Sequence, residues 1–481
     1  MTIDAWITDG AARHPNKLAL ECAGESYSYQ AFDAAITTRA SDLCGAGVGK
    51  GDRVAWYGLN DAEVFVLLFA CARIGAILVP LNWRLAPAEV ATIVADCSPK
   101  LVFHDSHFAD VAKQLVGPEI LAAGAPIPQT SVQRTRHECG ENDPLLIVYT
   151  SGSTGVPKGA VLTQKALVAN AEMSVQAHNL QPDDRVLNVL PLFHVGGLNI
   201  LPTPAFSIGA SVILHDRFDP GRTCDALEGV QAAIVVPTVI QAVMANDKWP
   251  NIDLSGLRVL SIGSTDVPVS IIQSVHNRGV PMIQIYGATE TAPFAIYQNV
   301  CEAFDTVGSL GRAGSRCDIR LMSANGVASI GEPGEIQVRG DNVLVEYWRN
   351  PALTNEMLRD GWFKTGDVAF CDDDGLFWFA DRIKNVIISG GENIYPAELE
   401  RVLREHPNIK EVAVVGRKDA KWGETPVAVV VANSPMDKST VLAMFDGKVA
   451  RYKLPSDVVF VDSLPRNAMG KVLVGEVKKL V

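Results

Sequence analysis

Between Tyr149 and Gly159 the chain crowds four hydroxyls (Thr150, Ser151, Ser153, Thr154), three glycines and Lys158 into one loop after an apolar run. Such a loop can wrap phosphate oxygens. The hydroxyls and Lys158 supply donors and positive charge, while Gly152, Gly155 and Gly159 permit close backbone approach. The spacing is not that of a Walker A loop, which requires G-x-x-x-x-G-K-[ST]. A generic Ser/Gly run reads as a flexible surface loop, and an isolated Asp, Arg or Lys elsewhere in the chain reads as a solvated charge. Cys44 to Asp52, although glycine-rich, fits neither G-x-G-x-x-G nor Walker A and reads as a loop before a strand. No G-x-S-x-G or H-E-x-x-H occurs, so a serine hydrolase or zinc peptidase lacks its minimal parts.

The elements that position this loop follow from pattern. Apolar runs at Arg53 to Leu59, Leu101 to His104, Leu145 to Tyr149, Ser211 to Leu214, Ala233 to Val236, Val259 to Ile262 and Met282 to Ile285 are short, β-rich and bounded by turn residues. They alternate with helical stretches such as Ala31 to Cys44, which predicts α/β architecture with buried strands. After Gly331-Glu332-Pro333-Gly334 the pattern changes to hairpin strands, a smaller β-rich unit. Beyond Asp381-Arg382 come a strand at Asn385 to Ser389, a helix from near Pro396 and a strand at Glu411 to Val415, a small α+β domain of about 100 residues. The expected division is 1–383 and 384–481.

Composition excludes several classes. The 481 residues, 48% hydrophobic and 20% charged, suffice for two or more domains at roughly 150 residues each. Acidic side chains exceed basic ones by 54 to 42, for a charge of -12, which disfavours a phosphate-backbone grip on nucleic acid. The longest apolar stretch, Val64 to Leu81, is broken by Arg73 and Gly75 and reads as a buried helix running into a strand, not a membrane span. The N-terminus lacks a signal-peptide pattern, so a cytoplasmic location is expected. Nine scattered cysteines without a C-x-x-C pair suit neither a disulfide framework nor a zinc site.

Tyr149 to Gly159 resembles the phosphate loop of the adenylate-forming enzymes, the superfamily of acyl-CoA synthetases, firefly-type luciferases and peptide-synthetase adenylation domains. Further segments continue the resemblance in family order. Pro191 to Gly197 is similar to the gate segment, implying that His194 lies beside the substrate carboxylate. Gln284 to Glu290 resembles the Y-G-x-T-E segment: Tyr286 and Gly287 would lie at adenine, Thr289 would bind the α-phosphate and Glu290 would hold Mg²⁺. One carboxylate is sufficient there, because Mg²⁺ keeps waters and takes substrate phosphates. Gly361 to Asp367 resembles the segment whose aspartate accepts both ribose hydroxyls, and Arg382 would contact ribose or phosphate. Lys384 falls at the family's domain hinge, and Gly390 and Gly391 lie in the loop that lines the pantetheine channel. Lys471 falls at the adenylation lysine, whose ammonium can bridge two approaching anions. Ile262 to Pro268 departs from the usual Gly-Gly-Ala-Pro beside the adenine and acyl pockets; Ser264 falls there as a nucleotide contact, with Asp266 altering the acyl side.

The resemblance implies an ATP-dependent, Mg²⁺-requiring acid–thiol ligase: carboxylic acid plus ATP gives acyl-AMP and pyrophosphate, then CoA displaces AMP. It implies a large N-terminal domain and a small mobile C-terminal one. His194 is followed by Val195-Gly196-Gly197 rather than by an aspartate that would hold an ammonium, which disfavours a free amino acid. The chain looks closest to bacterial fatty-acid and aryl or feruloyl-type CoA ligases, giving an aromatic, hydroxycinnamic or medium-length acid as the expected substrate. The absence of a following carrier domain favours CoA as acceptor. The alternatives are an acyl-AMP ligase feeding a separate carrier protein and a non-catalytic nucleotide or acyl binder. The expected partners are small molecules, with a homodimer admissible.

Overall fold

The computed structural model describes residues 2–127, 139–151, 157–263, 267–389, 392–446, 448–466 and 471–481. They form two compact units: Met1–Ile319 with Val338–Lys364, and Arg320–Gln337 with Thr365–Val481. The β-rich segment is divided between them.

Two sheets fill the first unit. In the nine-stranded sheet, Met282–Tyr286, Val259–Gly263, Ala232–Val235, Arg185–Asn188, Ser211–Leu214 and Leu18–Cys22 lie side by side in parallel. Antiparallel strands flank them: Ile296–Tyr297 and Arg312–Ala313 at one edge, Glu25–Ser28 at the other. In the seven-stranded sheet, Pro144–Ser151, Ile77–Leu81, Arg53–Tyr57, Leu101–His104 and Glu119–Ala122 are parallel. Pro157–Thr163 pairs antiparallel with Pro144–Ser151, and Glu346–Tyr347 with Pro157–Thr163. Parallel strands covered on both faces must be apolar throughout, which is why these read as uninterrupted runs rather than alternations.

Val64 to Leu81 divides as its pattern requires, into a helix Ala62–Ile74 and the strand Ile77–Leu81. Asp61 caps the helix by accepting the Glu63 N–H at 2.8 Å, and Gly75 ends it at φ 72°, a conformation that favours glycine. Nearly every residue of this helix is buried, and among the described residues no helix is long and apolar enough to cross a membrane.

In the second unit, Gly423–Ala432 is the centre of a five-stranded sheet. It pairs antiparallel with Ile409–Asp419 and Ile387–Ser389 and parallel with Asp457–Phe460; Glu392–Ile394 lies outside Ile387–Ser389. The helix Pro396–Arg404, with proline at its first turn, packs Leu399 and Leu403 against Val412, Val414 and Val430. The strand expected from Asn385 begins at Ile387, because Ile383–Asn385 closes into a 3₁₀ turn.

Candidate active site

Ligands of open α/β sheets bind beyond the carboxyl ends of parallel strands. In the first unit the ends of Arg185–Asn188, Val259–Gly263 and Met282–Tyr286 lead to the gate segment, to residue 264 and to Tyr286–Glu290. The strand Pro144–Ser151 of the second sheet leads into the phosphate loop. Gly152, Ser153, Thr154, Gly155 and Ser264 lie outside the described residues, as does Asp266.

The strands flanking the phosphate loop are in tight register, with Thr150 opposite Lys158, Ser151 opposite Pro157 and Tyr149 opposite Gly159. The Tyr149 hydroxyl donates to the Asp96 carboxylate, which anchors the loop's first strand. Gly159 is also required by packing: a Cβ there would meet Ile147 Cγ2 at 2.7 Å, and Trp348 N–H donates to its carbonyl at 2.7 Å.

His194 precedes the short helix Val195–Asn199 and is half-buried. Burial, reinforced by the positive charge of Arg84, pulls its imidazole down to about 4, so the ring is neutral at pH 7. It packs on Phe193 at 4.5 Å between ring centres, and Phe193 meets Trp83 edge-on at 6.1 Å. The Arg84 guanidinium lies 5.0 Å from the Trp83 ring and 5.8 Å from Phe193, giving an aromatic wall with one cation on it. Gly197 cannot carry a Cβ, which would fall 2.3 Å from the Pro191 carbonyl, whereas a Cβ on Gly196 would meet Ile200 at an unstrained 3.9 Å. Asn60, which sequence reasoning missed, fixes the turn before the gate. Buried, it donates to the Leu190 and His215 carbonyls at 2.9 Å each and accepts the Leu192 N–H at 2.8 Å.

Tyr286 ends its strand half-buried, and Thr289–Thr291 forms a 3₁₀ turn carrying Glu290. Gly287 is obligatory, since a Cβ would lie 1.5 Å from the Pro293 carbonyl oxygen. The Tyr347 hydroxyl donates to Glu290 Oε1 at 2.7 Å, and the Leu344 N–H donates to the Glu290 carbonyl at 2.8 Å. Burial and the Glu290 charge push the Tyr347 phenol well above its usual range, so it stays a donor. A half-buried carboxylate whose Oε1 accepts the Tyr347 hydroxyl suits Mg²⁺, which needs few protein ligands when phosphates complete its shell.

In the second unit, Thr365 to Cys371 runs antiparallel to Phe377–Arg382, with Asp367 opposite Arg382 and a register shift between Val368 and Ala369. Such bulges re-aim side chains beside functional sites. Arg382 Nε lies 3.0 Å from Asp367 Oδ1, and the Asp367 N–H donates to Thr365 Oγ1 at 3.1 Å. Lys384 is exposed within the turn Ile383–Asn385; Gly390 and Gly391 lie outside the described residues. A bridge between Arg466 and Val472 presents Lys471, and Arg466 is tied to Glu411 at 2.7 Å. Lys471 as a residue is exposed, but its ammonium end is desolvated. That desolvation, with the charges of Arg382 and Lys384, pulls it down to about 8 against the opposing pull of Asp367. Asp367, the neighbouring Arg382 and Lys384, and the distant Lys471 thus share one electrostatic neighbourhood.

Over residues 7–348 the chain matches the AMP-binding enzyme family, and over 398–471 the AMP-binding enzyme C-terminal domain. The chain belongs to the AMP-binding enzyme family. It is 44% identical to indoleacetate–CoA ligase of Aromatoleum aromaticum, covering 100% of this chain and 98% of that one. To feruloyl-CoA synthase of Amycolatopsis sp it is 38% identical, covering 99% and 98%. Among solved structures it resembles o-succinylbenzoate CoA synthetase of Bacillus subtilis in complex with the acyl-adenylate intermediate, with a TM-score of 0.89, 29% identity and coverage of 98% and 97%. The same synthetase is also known with ATP and magnesium ion. Its family together with these relatives makes the protein an adenylate-forming acyl-CoA ligase that uses ATP, Mg²⁺ and CoA.

Proposed function

We propose that the acid this ligase activates is aromatic. The observation that carries this is the wall of Trp83, Phe193 and His194, with a neutral imidazole and the Arg84 guanidinium stacked against it. Flat apolar surface with polarisable faces favours an aryl group over a flexible alkyl chain, and the relatives named for indoleacetate and ferulate agree with that preference.

In the first half-reaction a carboxylate oxygen attacks the α-phosphorus of ATP and pyrophosphate leaves. Lys471 would bridge the two anions, Thr289 and Lys158 would take phosphate oxygens, and Asp367 and Arg382 would hold the ribose. Mg²⁺, held by Glu290, would neutralise charge on the triphosphate. In the second half-reaction the CoA thiolate attacks the acyl carbonyl and AMP leaves. We assign Lys384 to the hinge that withdraws Lys471 and brings in the loop carrying Gly390 and Gly391, which makes 1–383 and 384–481 the functional bodies.

The test is mass spectrometry of AMP and acyl-CoA formed from ATP, Mg²⁺, CoA and a panel of arylacetic, hydroxycinnamic and fatty acids. Acyl-CoA with equimolar AMP, and kcat/KM highest for an aryl acid, is the expected result. A preference for alkyl acids would overturn the aromatic assignment, and acyl-AMP without thioester would point to a carrier-protein acceptor.

A further inference from the structure

Asp381 is buried and has no part in the chemistry just described. Its carboxylate gathers three donors from two sides of Lys384. Oδ1 accepts the Arg382 N–H at 2.6 Å and Asn385 Nδ2 at 3.2 Å, while Oδ2 accepts the Ala397 N–H at 2.7 Å. Ala397 lies in the first turn of the helix Pro396–Arg404, where backbone N–H groups have no partner within the helix and the helix dipole favours an anion. One carboxylate therefore clasps the end of the strand Phe377–Arg382, the turn Ile383–Asn385 and the start of that helix. In the same arrangement Lys471 shares its surroundings with Asp367 and Arg382.

We propose that Asp381 is a positioning residue: its clasp on Ala397 holds the helix and sheet that follow Lys384 in the arrangement that serves adenylation, and must open before thioester formation. This rests on the two-step reading with a hinge at Lys384. If the segments on either side of Lys384 turn against one another, a bond from residue 381 to residue 397 cannot survive, whereas the bond to Arg382, which lies before the hinge, can. Oδ2 is then the switchable half of the carboxylate, while Oδ1 keeps its bond to the Arg382 N–H.

The two half-reactions are measured separately in the full-length protein: acyl-AMP formation without CoA, and thioester formation from supplied acyl-adenylate and CoA. In Asp381→Ala the ratio of thioester to adenylation rate is expected to rise by about ten- to a hundredfold, the range for losing a hydrogen bond to a charged acceptor. Asp381→Asn keeps the volume and one acceptor oxygen, so its ratio is expected to rise by a smaller factor. It also serves as the readout if the alanine variant does not fold. An equal loss in both halves would make Asp381 merely structural, and an unchanged ratio in a folded variant would remove the clasp from the cycle; either overturns the proposal. Failure of the unaltered protein to form acyl-AMP would instead sink the two-step reading beneath it.

Discussion

If Lys471 acts as an ammonium, adenylation must fail as that ammonium loses its proton. Desolvation and two neighbouring cations bring its pKa to about 8, more than two units below an ordinary lysine. In the enzyme before substrates bind, about nine-tenths of Lys471 is charged at pH 7 and about one-tenth at pH 9. The kcat/KM for acyl-AMP formation should therefore fall about tenfold per unit above pH 8, since that parameter reports the free enzyme. Bound ATP adds anionic oxygens that favour the charged form, so the corresponding fall in kcat lies at higher pH. The assay is acyl-AMP formation without CoA, read by pyrophosphate release from pH 6.5 to 10, which keeps the titration of the CoA thiol out of the measurement. Lys471→Ala should lose about 100- to 1,000-fold in adenylation, as for removal of one charge-stabilising donor, and should lose the alkaline limb as well. Lys471→Arg keeps its charge throughout and should show a lower but flat profile. A flat kcat/KM from pH 7 to 9.5 in the unaltered protein, or the same limb in Lys471→Ala, would refute the reasoning.

Tyr347→Phe removes the hydroxyl that orients Glu290 and should raise the Mg²⁺ concentration for half-maximal activity about tenfold; an unchanged magnesium titration would remove Tyr347 from the site. Gly287→Ala forces a Cβ into the Pro293 carbonyl and should cost about 3 kcal/mol or more, read as a lower urea midpoint, with an unshifted midpoint as the contrary result. Asp457 is held down to about 2 by hydrogen bonds from Lys438 and Arg417. Its folded pKa lies below the unfolded one, so its contribution is present above about pH 4 and lost as pH falls towards 2. Asp457→Asn should flatten the urea midpoint over that window, and an identical acid slope would count against the pairing.

The α/β fold was legible because its buried strands are short continuous runs. Leu101–His104 and Ser211–Leu214 match the runs read from sequence residue for residue, while the run ending at Val236 is displaced by one, ending at Val235. Motif order nominated the candidate site residues. Their supports were not legible. Asn60 acts on Leu190 and His215, Tyr347 on Glu290 and Asp381 on Ala397, over sequence separations at which neither periodicity nor turn chemistry carries information. Gly159 carries a further constraint that its motif does not show: Ile147 on the adjacent strand leaves no room for a side chain.

The pairing of Asp367 with Arg382 bears on how the enzyme lets go of AMP. If Asp367 takes the ribose hydroxyls, it must first loosen a charged partner 3.0 Å away, and the same partner stands ready to reclaim it. Nucleotide affinity is then a difference between two bonds rather than the strength of one, and a departing ribose is replaced at once by a guanidinium instead of leaving a bare buried carboxylate. Such an exchange lowers affinity and quickens dissociation together, a useful property in an enzyme that must discharge a spent nucleotide on every turnover.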